Sequence, residues 1–104
     1  MELKNITVTE ISGAVTVCSK MGRCDRMDNR KSYGFSLCAD GQITYIQNGK
    51  EYISVKGCAV LLPKGGTYFI KRDNTGYFPV INFDCLDFLC DTITVIPIHN
   101  ANQL

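Results

Sequence analysis

The sequence predicts an all-β fold, a sandwich or barrel of about eight or nine short strands. Three observations carry this. Apolar and polar residues alternate at period two through stretches such as Tyr33-Gly34-Phe35-Ser36-Leu37. Turn signals recur roughly every eight to twelve residues, among them Asp40-Gly41, Asn48-Gly49 and Lys64-Gly65-Gly66. No window carries the i, i+3, i+4 apolar spacing of a long helix, so little helix is expected.

The elements follow in order. Ile6, Val8, Ile11, Val15 and Val17 predict one or two short strands, broken near Ser12-Gly13. Cys18 to Arg30 is polar and charged and reads as a long loop, of the kind that often carries function. Lys31 to Ala39 is a strand, with Tyr33, Phe35 and Leu37 on one face and Ser32, Gly34, Ser36 and Cys38 on the other. Asp40-Gly41 turns the chain into Gln42–Gln47, where Ile43 and Tyr45 oppose Thr44 and Ile46. Asn48-Gly49 suits a turn with positive φ at both central residues, and Lys50 to Val55 returns as the partner strand.

Gly57 to Tyr68 is the stretch around which the rest is organised. Cys58 to Leu62 is the longest unbroken apolar run and predicts a buried strand. Pro63 ends it, because proline cannot donate to a sheet ladder. Lys64-Gly65-Gly66 reverses the chain into a strand from Thr67 to Lys71. Arg72 to Gly76 reads as a turn cluster. Tyr77 to Phe83 is a strand with Phe78, Val80 and Asn82 on one face, and Pro79 confines part of it to an edge or a bulge. Asp84 to Cys90 reads as a short helical turn or a loop, Asp91 to Ile98 as a last strand, and Asn100 to Leu104 as a polar tail.

At 104 residues the chain has the length of one domain, spanning 1–104. Net charge is +1, and the densest basic cluster, Arg23, Arg26, Arg30 and Lys31, is interrupted by Asp25 and Asp28. That balance argues against this domain gripping nucleic acid by itself. No stretch reads as a signal peptide or a membrane span, so the expectation is a cytoplasmic protein with no membrane partner. The six cysteines are expected as reduced thiols.

The catalytic inventory is thin. The single histidine, His99, reads as an exposed residue after the last strand rather than as a base. Cys18-x5-Cys24 and Cys85-x4-Cys90 lack zinc-knuckle spacing, and Cys38 and Cys58 read as small core hydrophobes. Gly65-Gly66 lacks the following helix and Lys-Ser or Lys-Thr of a phosphate loop. No catalytic residue, metal or cofactor is therefore predicted. Tyr33, Tyr45, Tyr52, Tyr68, Tyr77 and Phe78 lie on predicted strands, and a β-container with tyrosines and an arginine on its wall suits a small polar ligand with apolar faces.

Gly57, Pro63 and Gly65 carry the spacing of the second cupin motif, which runs Gly, five residues, Pro, one residue, Gly, and then a His and an Asn. The chain resembles a cupin there, with Tyr68 where the His belongs and Arg72 where the Asn belongs. Ile43 to Glu51, where the first motif would place its histidines, contains none. The resemblance implies a cupin-type jelly-roll, or double-stranded β-helix barrel, without the metal set. From Asp25 to Asp84 the chain is also similar to the N-terminal, arabinose-binding-like sensing domain of AraC-family transcription regulators. Asp25-Arg26, Arg30, Tyr33-Gly34-Phe35-Ser36-Leu37, Asn48-Gly49-Lys50, the Gly57–Gly65 stretch and Val80-Ile81-Asn82-Phe83 carry that likeness.

This second resemblance implies a metal-free domain that senses a small effector, with sugars among the candidate ligands, and that touches DNA only through a C-terminal helix-turn-helix domain absent from these residues. The chain would then be excised from a longer regulator, and a second copy in a homodimer is a candidate partner. Carried over, the ligand positions are Arg26, Tyr68, Ile70, Phe78 and Val80, joined by Arg30, Tyr33 and Tyr45 from the loop and the aromatic set. Two alternatives stand beside it: a small cupin enzyme such as a sugar epimerase or isomerase, with Tyr68 as acid, and a structural module whose barrel is filled by its own side chains.

Overall fold

A computed structural model describes residues 8–20, 22–38, 41–73 and 75–98. They form strands β1 (Val8–Ser19), β2 (Cys24–Met27), β3 (Tyr33–Leu37), β4 (Gln42–Gln47), β5 (Lys50–Val55), β6 (Cys58–Leu62), β7 (Tyr68–Arg72), β8 (Gly76–Cys85) and β9 (Thr94–Pro97). No helix occurs among the described residues, so none there is long and apolar enough to cross a membrane. The strands build an antiparallel five-stranded sheet, β1-β8-β3-β6-β9, and an antiparallel four-stranded sheet, β2-β7-β4-β5. The described crossings from one sheet to the other, at 28–32, 56–57 and 63–67, are loops and turns, which is the jelly-roll solution to burying two amphipathic sheets at once.

The core has two layers because the five-stranded sheet is covered on both faces. Between the sheets lie Val60, Leu62 and Phe78 from one side and Ile43, Tyr45 and Tyr68 from the other. On the outer face of the larger sheet, Tyr33, Leu61 and Phe83 pack under Cys90 and Leu89. The unbroken run Cys58–Leu62 follows from this: β6 alternates Val60 and Leu62 inward with Leu61 outward, and both sides are apolar. Leu89 and Cys90, from the irregular stretch after β8, cover that outer face. The Leu89 N–H donates to the Tyr33 hydroxyl at 3.2 Å, and beyond it Ile93 enters the core between the sheets, its N–H donating to Gln47 Oε1 at 2.9 Å.

Several expectations are corrected. The stretch Cys18–Arg30 is not all loop: β2 pairs with β7, from Cys24 opposite Lys71 to Met27 opposite Tyr68. Its charges hid it, since Cys24 and Arg26 face outward to solvent while only Asp25 and Met27 turn inward. The N-terminal strand is not broken at Ser12-Gly13. A register shift between Ile11 and Gly13 bends it while pairing with β8 continues. Arg72, assigned to a turn, is the last residue of β7. Of Asp84–Cys90, Asp84 and Cys85 end β8 and 86–90 is irregular rather than helical, and the last strand is only Thr94–Pro97. Pro79 sits where β8 has partners on one side alone: β3 pairs with Val80 to Phe83, whereas Pro79 faces only Thr16 of β1. His99, Asp40 and the C-terminal tail lie outside the described residues.

Candidate functional site

Because strand side chains alternate, each sheet aims a regular row into the space between them. Tyr68, Ile70 and Arg72 of β7 stand beside Ile43 and Tyr45 of β4. Phe78, Val80 and Asn82 of β8 face them from the opposite sheet, next to Ser36 of β3 and Leu62 of β6. These rows do not close up. They leave a cavity of ≈ 220 Å³ between the sheets. Six polar side chains converge on it, Arg30, Arg72, Tyr45, Tyr68, Ser36 and Asn82, and the remaining wall is aliphatic and aromatic.

Arg30 comes from the loop between β2 and β3, and its entry is fixed by backbone. The Arg30 N–H donates to the Gly66 carbonyl at 2.9 Å, and the Gly65 N–H donates to the Arg30 carbonyl at 2.6 Å. Gly65 has φ of 80°, which aims its N–H at Arg30 without a side-chain penalty. Asn29, also left-handed at φ 46°, donates its N–H to Thr67 Oγ1 at 3.0 Å. The Gly66 N–H in turn donates to the Pro63 carbonyl at 3.2 Å. The donors of this glycine turn are thus spent within the protein, and the turn is a clamp for Arg30 rather than a phosphate cradle.

Once inside, Arg30 is only 8% exposed, and its guanidinium is against Gly34. Its Nη2 donates to Asn82 Oδ1, while its Nε is buried with no partner. Arg72 is held differently. Its Nη2 lies 3.7 Å from Asp25 Oδ2, a carboxylate shared with Arg23 at 2.9 Å, and its Nε is likewise buried without a partner.

The two tyrosines meet edge to face, with ring centroids 5.9 Å apart. Burial pushes the Tyr45 phenol up to about 12; the neighbouring Tyr68 adds to this, and a hydrogen bond with Ser36 opposes it. Burial also raises the Tyr68 phenol, against the lowering pull of both Arg30 and Arg72. At neutral pH both hydroxyls are therefore protonated and able to donate. Nothing in the site is a free base.

Of the eight ligand positions predicted from sequence, Arg30, Tyr45, Tyr68, Ile70, Phe78 and Val80 line this cavity. Arg26 and Tyr33 do not. Arg26 is outward on β2, opposite Phe69, with its guanidinium 5.9 Å from that ring and 3.4 Å from Asp28. Tyr33 is on the outer face of β3, stacked on Phe83 at 5.9 Å and occupied with Leu89. Arg26, expected in a loop, is instead an outward position of β2, and Tyr33 is on the face of β3 turned away from the cavity. A strand side chain one position off points through the sheet to the other side. Arg72, Ser36 and Asn82 were missed, although period two from Ile70 and from Val80 reaches Arg72 and Asn82.

Among the described residues, no group of three or more His, Cys, Asp or Glu side chains is placed to hold a metal ion. Cys24, Cys38, Cys58, Cys85 and Cys90 form no disulfide. Cys38 packs into the core between the sheets. Cys90 belongs to the outer core cluster, and its thiol is pushed up to about 11, chiefly by burial.

No family profile matches the chain, and no curated protein matches it. Among solved structures, a deletion mutant of Bacillus subtilis oxalate decarboxylase OxdC is similar, with a TM-score of 0.52 at 18% identity over 81% of this chain. The chain spans 23% of that protein's length. The likeness concerns the fold: an all-β, antiparallel jelly-roll of the cupin type.

Proposed function

We propose that this cupin-type fold is a metal-free binding domain that senses a small effector and passes the signal to a DNA-binding domain, in the manner of AraC-type regulators. One observation carries the binding half: a cavity of ≈ 220 Å³ between the sheets, with six polar side chains converging on apolar walls. The regulator half is supported by the resemblance that runs from Asp25 to Asp84. In that reading the protein is not an enzyme, a second copy of the chain is its partner in a homodimer, and DNA is contacted through a domain beyond these residues. The ligand acts by binding one arrangement of the regulator better than another, since equal affinity for both would shift nothing.

A thermal-shift panel of neutral and charged metabolites small enough for the cavity tests this. The expected result is a compound whose stabilising effect grows with its concentration as mass action requires, and which fails on Val80→Trp, where an indole fills the space. Absence of any stabilising compound, neutral or charged, overturns the binding reading.

A second reading is favoured by one feature. Tyr68 is on the cavity wall where a cupin metal ligand would stand, and its phenol is held protonated by burial. A small cupin enzyme, such as a sugar epimerase or isomerase, would use it as a general acid. Conversion of the bound compound to a product, abolished by Tyr68→Phe with binding retained, would move the assignment from sensor to enzyme.

A further inference from the structure

We infer that the cavity is built for a small organic monoanion: a carboxylate held by Arg30 and Arg72, with a short apolar body against the remaining wall. This deepens the binding reading above and rests on it. The starting point is a charge without a counter-charge. Arg30 is 8% exposed, its side-chain partner is the neutral amide of Asn82, and its Nε has no partner at all. A buried guanidinium is normally paired with an acid and satisfied at its donors.

Arg72 repeats the pattern with one difference. Its side chain is 11% exposed, and Asp25 stands 3.7 Å from Nη2, but its Nε is also buried and unpartnered. Both arginines line the one cavity, together with Tyr68. Among the described residues Arg30 has no carboxylate against it, and the one beside Arg72, Asp25, is shared with Arg23, so the cavity holds positive charge that the protein does not balance. A carboxylate supplies one negative charge, and its two oxygens offer acceptors to more than one N–H at once. Protonated Tyr45 and Tyr68 add hydroxyl donors to the same anion.

The walls decide between an organic and an inorganic anion. Leu62, Ile43, Ile70, Phe78 and Val80 offer nothing to the outer oxygens of a sulfate or phosphate, which would be desolvated there without partners. They do suit the apolar body of an acid. A volume of ≈ 220 Å³ equals about seven waters at about 30 Å³ each, which fits an acid of benzoate or valerate size and excludes long-chain fatty acids.

Titration calorimetry on the purified chain tests this with benzoate and valerate as probes. Benzamide and valeramide serve as neutral isosteres, sodium sulfate as inorganic anion, and a neutral pentose as a polar uncharged ligand. The expected result is saturable binding of an acid, at least tenfold weaker binding of its amide, and no binding of sulfate. Arg30→Gln should weaken the acid at least tenfold while leaving the amide unchanged. Should Arg30→Gln not fold, Arg72→Gln makes the same comparison, and the acid-to-amide ratio on the unaltered chain needs no variant. Equal binding of acid and amide, or binding of sulfate as tightly as the acids, overturns the monocarboxylate assignment. Binding of the pentose alone overturns it too and leaves the sensing reading standing. No binding by any probe overturns the assignment, whereas only silence across the full metabolite panel removes the sensing reading.

Discussion

The guanidinium of Arg30 occupies the space that a side chain at Gly34 would need. A Cβ built on Gly34 would stand 2.8 Å from Arg30 Cζ and 2.9 Å from Nε, closer than such atoms approach. Gly34 lies within β3 and does not have a positive φ, so what a side chain there meets is the end of the Arg30 side chain and not backbone strain. Its neighbours across the sheet are Asn82 on one side and Leu62 on the other. The bare backbone is thus a shelf on which a buried cation reaches Asn82.

Gly34→Ala should therefore displace Arg30 from the cavity while the sheet survives. Overpacking of this kind costs about 1–3 kcal/mol. Chemical denaturation should show a lower midpoint at an unchanged slope, and affinity for a cavity ligand should fall at least tenfold. A Gly34→Ala protein with unaltered stability and unaltered affinity would show that Arg30 does not depend on this shelf.

This shelf marks the limit of what was legible beforehand. Alternation and turn residues were enough for β3 to β7, because Asn48-Gly49 and Pro63-Lys64-Gly65 dictate where those strands reverse. Alternation could not say which face was inward. Tyr33, Phe35 and Leu37 look like the core face of β3, yet Gly34 and Ser36 point into the cavity. The outer face is apolar because Leu89 and Cys90 cover it, and they stand in an irregular stretch with no periodicity to announce it. β2 was invisible for the opposite reason. A short strand with two solvent-facing positions, holding Asp25 and Arg26, carries the composition of a loop, and only its pairing with β7 makes it a strand.

Leu61 is the residue on which the covered outer face depends. It is fully buried, at 0% exposure, beneath Tyr33, Phe83 and Cys90. Leu61→Ala should cost about 2–5 kcal/mol, the range for a large-to-small change in a packed core. Ile53 on edge strand β5 is 48% exposed, and Ile53→Ala should stay within about 0.5 kcal/mol. Denaturant midpoints of the two variants make the comparison. Equal losses would mean that Leu89 and Cys90 do not seal the sheet.

Asp25 competes with any anion for Arg72. Its carboxylate, 3.7 Å from Arg72 Nη2, is partly exposed and already bound to Arg23 at 2.9 Å, so the protein loses little by giving it up. Asp25→Asn should leave the melting temperature nearly unchanged and tighten benzoate binding about two- to fivefold, the range for a partly exposed ion pair of up to about 1 kcal/mol. The gain should shrink at high salt, where screening weakens the competition. Weaker binding in Asp25→Asn would mean that the aspartate orients Arg72 rather than competing for it.

Tyr45 gives the fold an alkaline limit. Burial, reinforced by Tyr68, raises its phenol from 10.0 to about 12. Below pH 10 the proton is bound in folded and unfolded chains alike, and the full stability is present. Between about 10 and about 12 the unfolded chain has released the proton and the folded one retains it, so unfolding gains and stability falls with rising pH. A gap of this size corresponds to a loss on the order of 2–3 kcal/mol. Tyr68, raised in the same direction by burial, steepens the fall. Denaturant midpoints compared at about pH 9 and about pH 11.5 should drop sharply in the unaltered chain and less in Tyr45→Phe, which has no proton to lose there. An identical drop in Tyr45→Phe would place the alkaline weakness elsewhere in the sheet and leave the Tyr45 hydroxyl free to ionise within the fold.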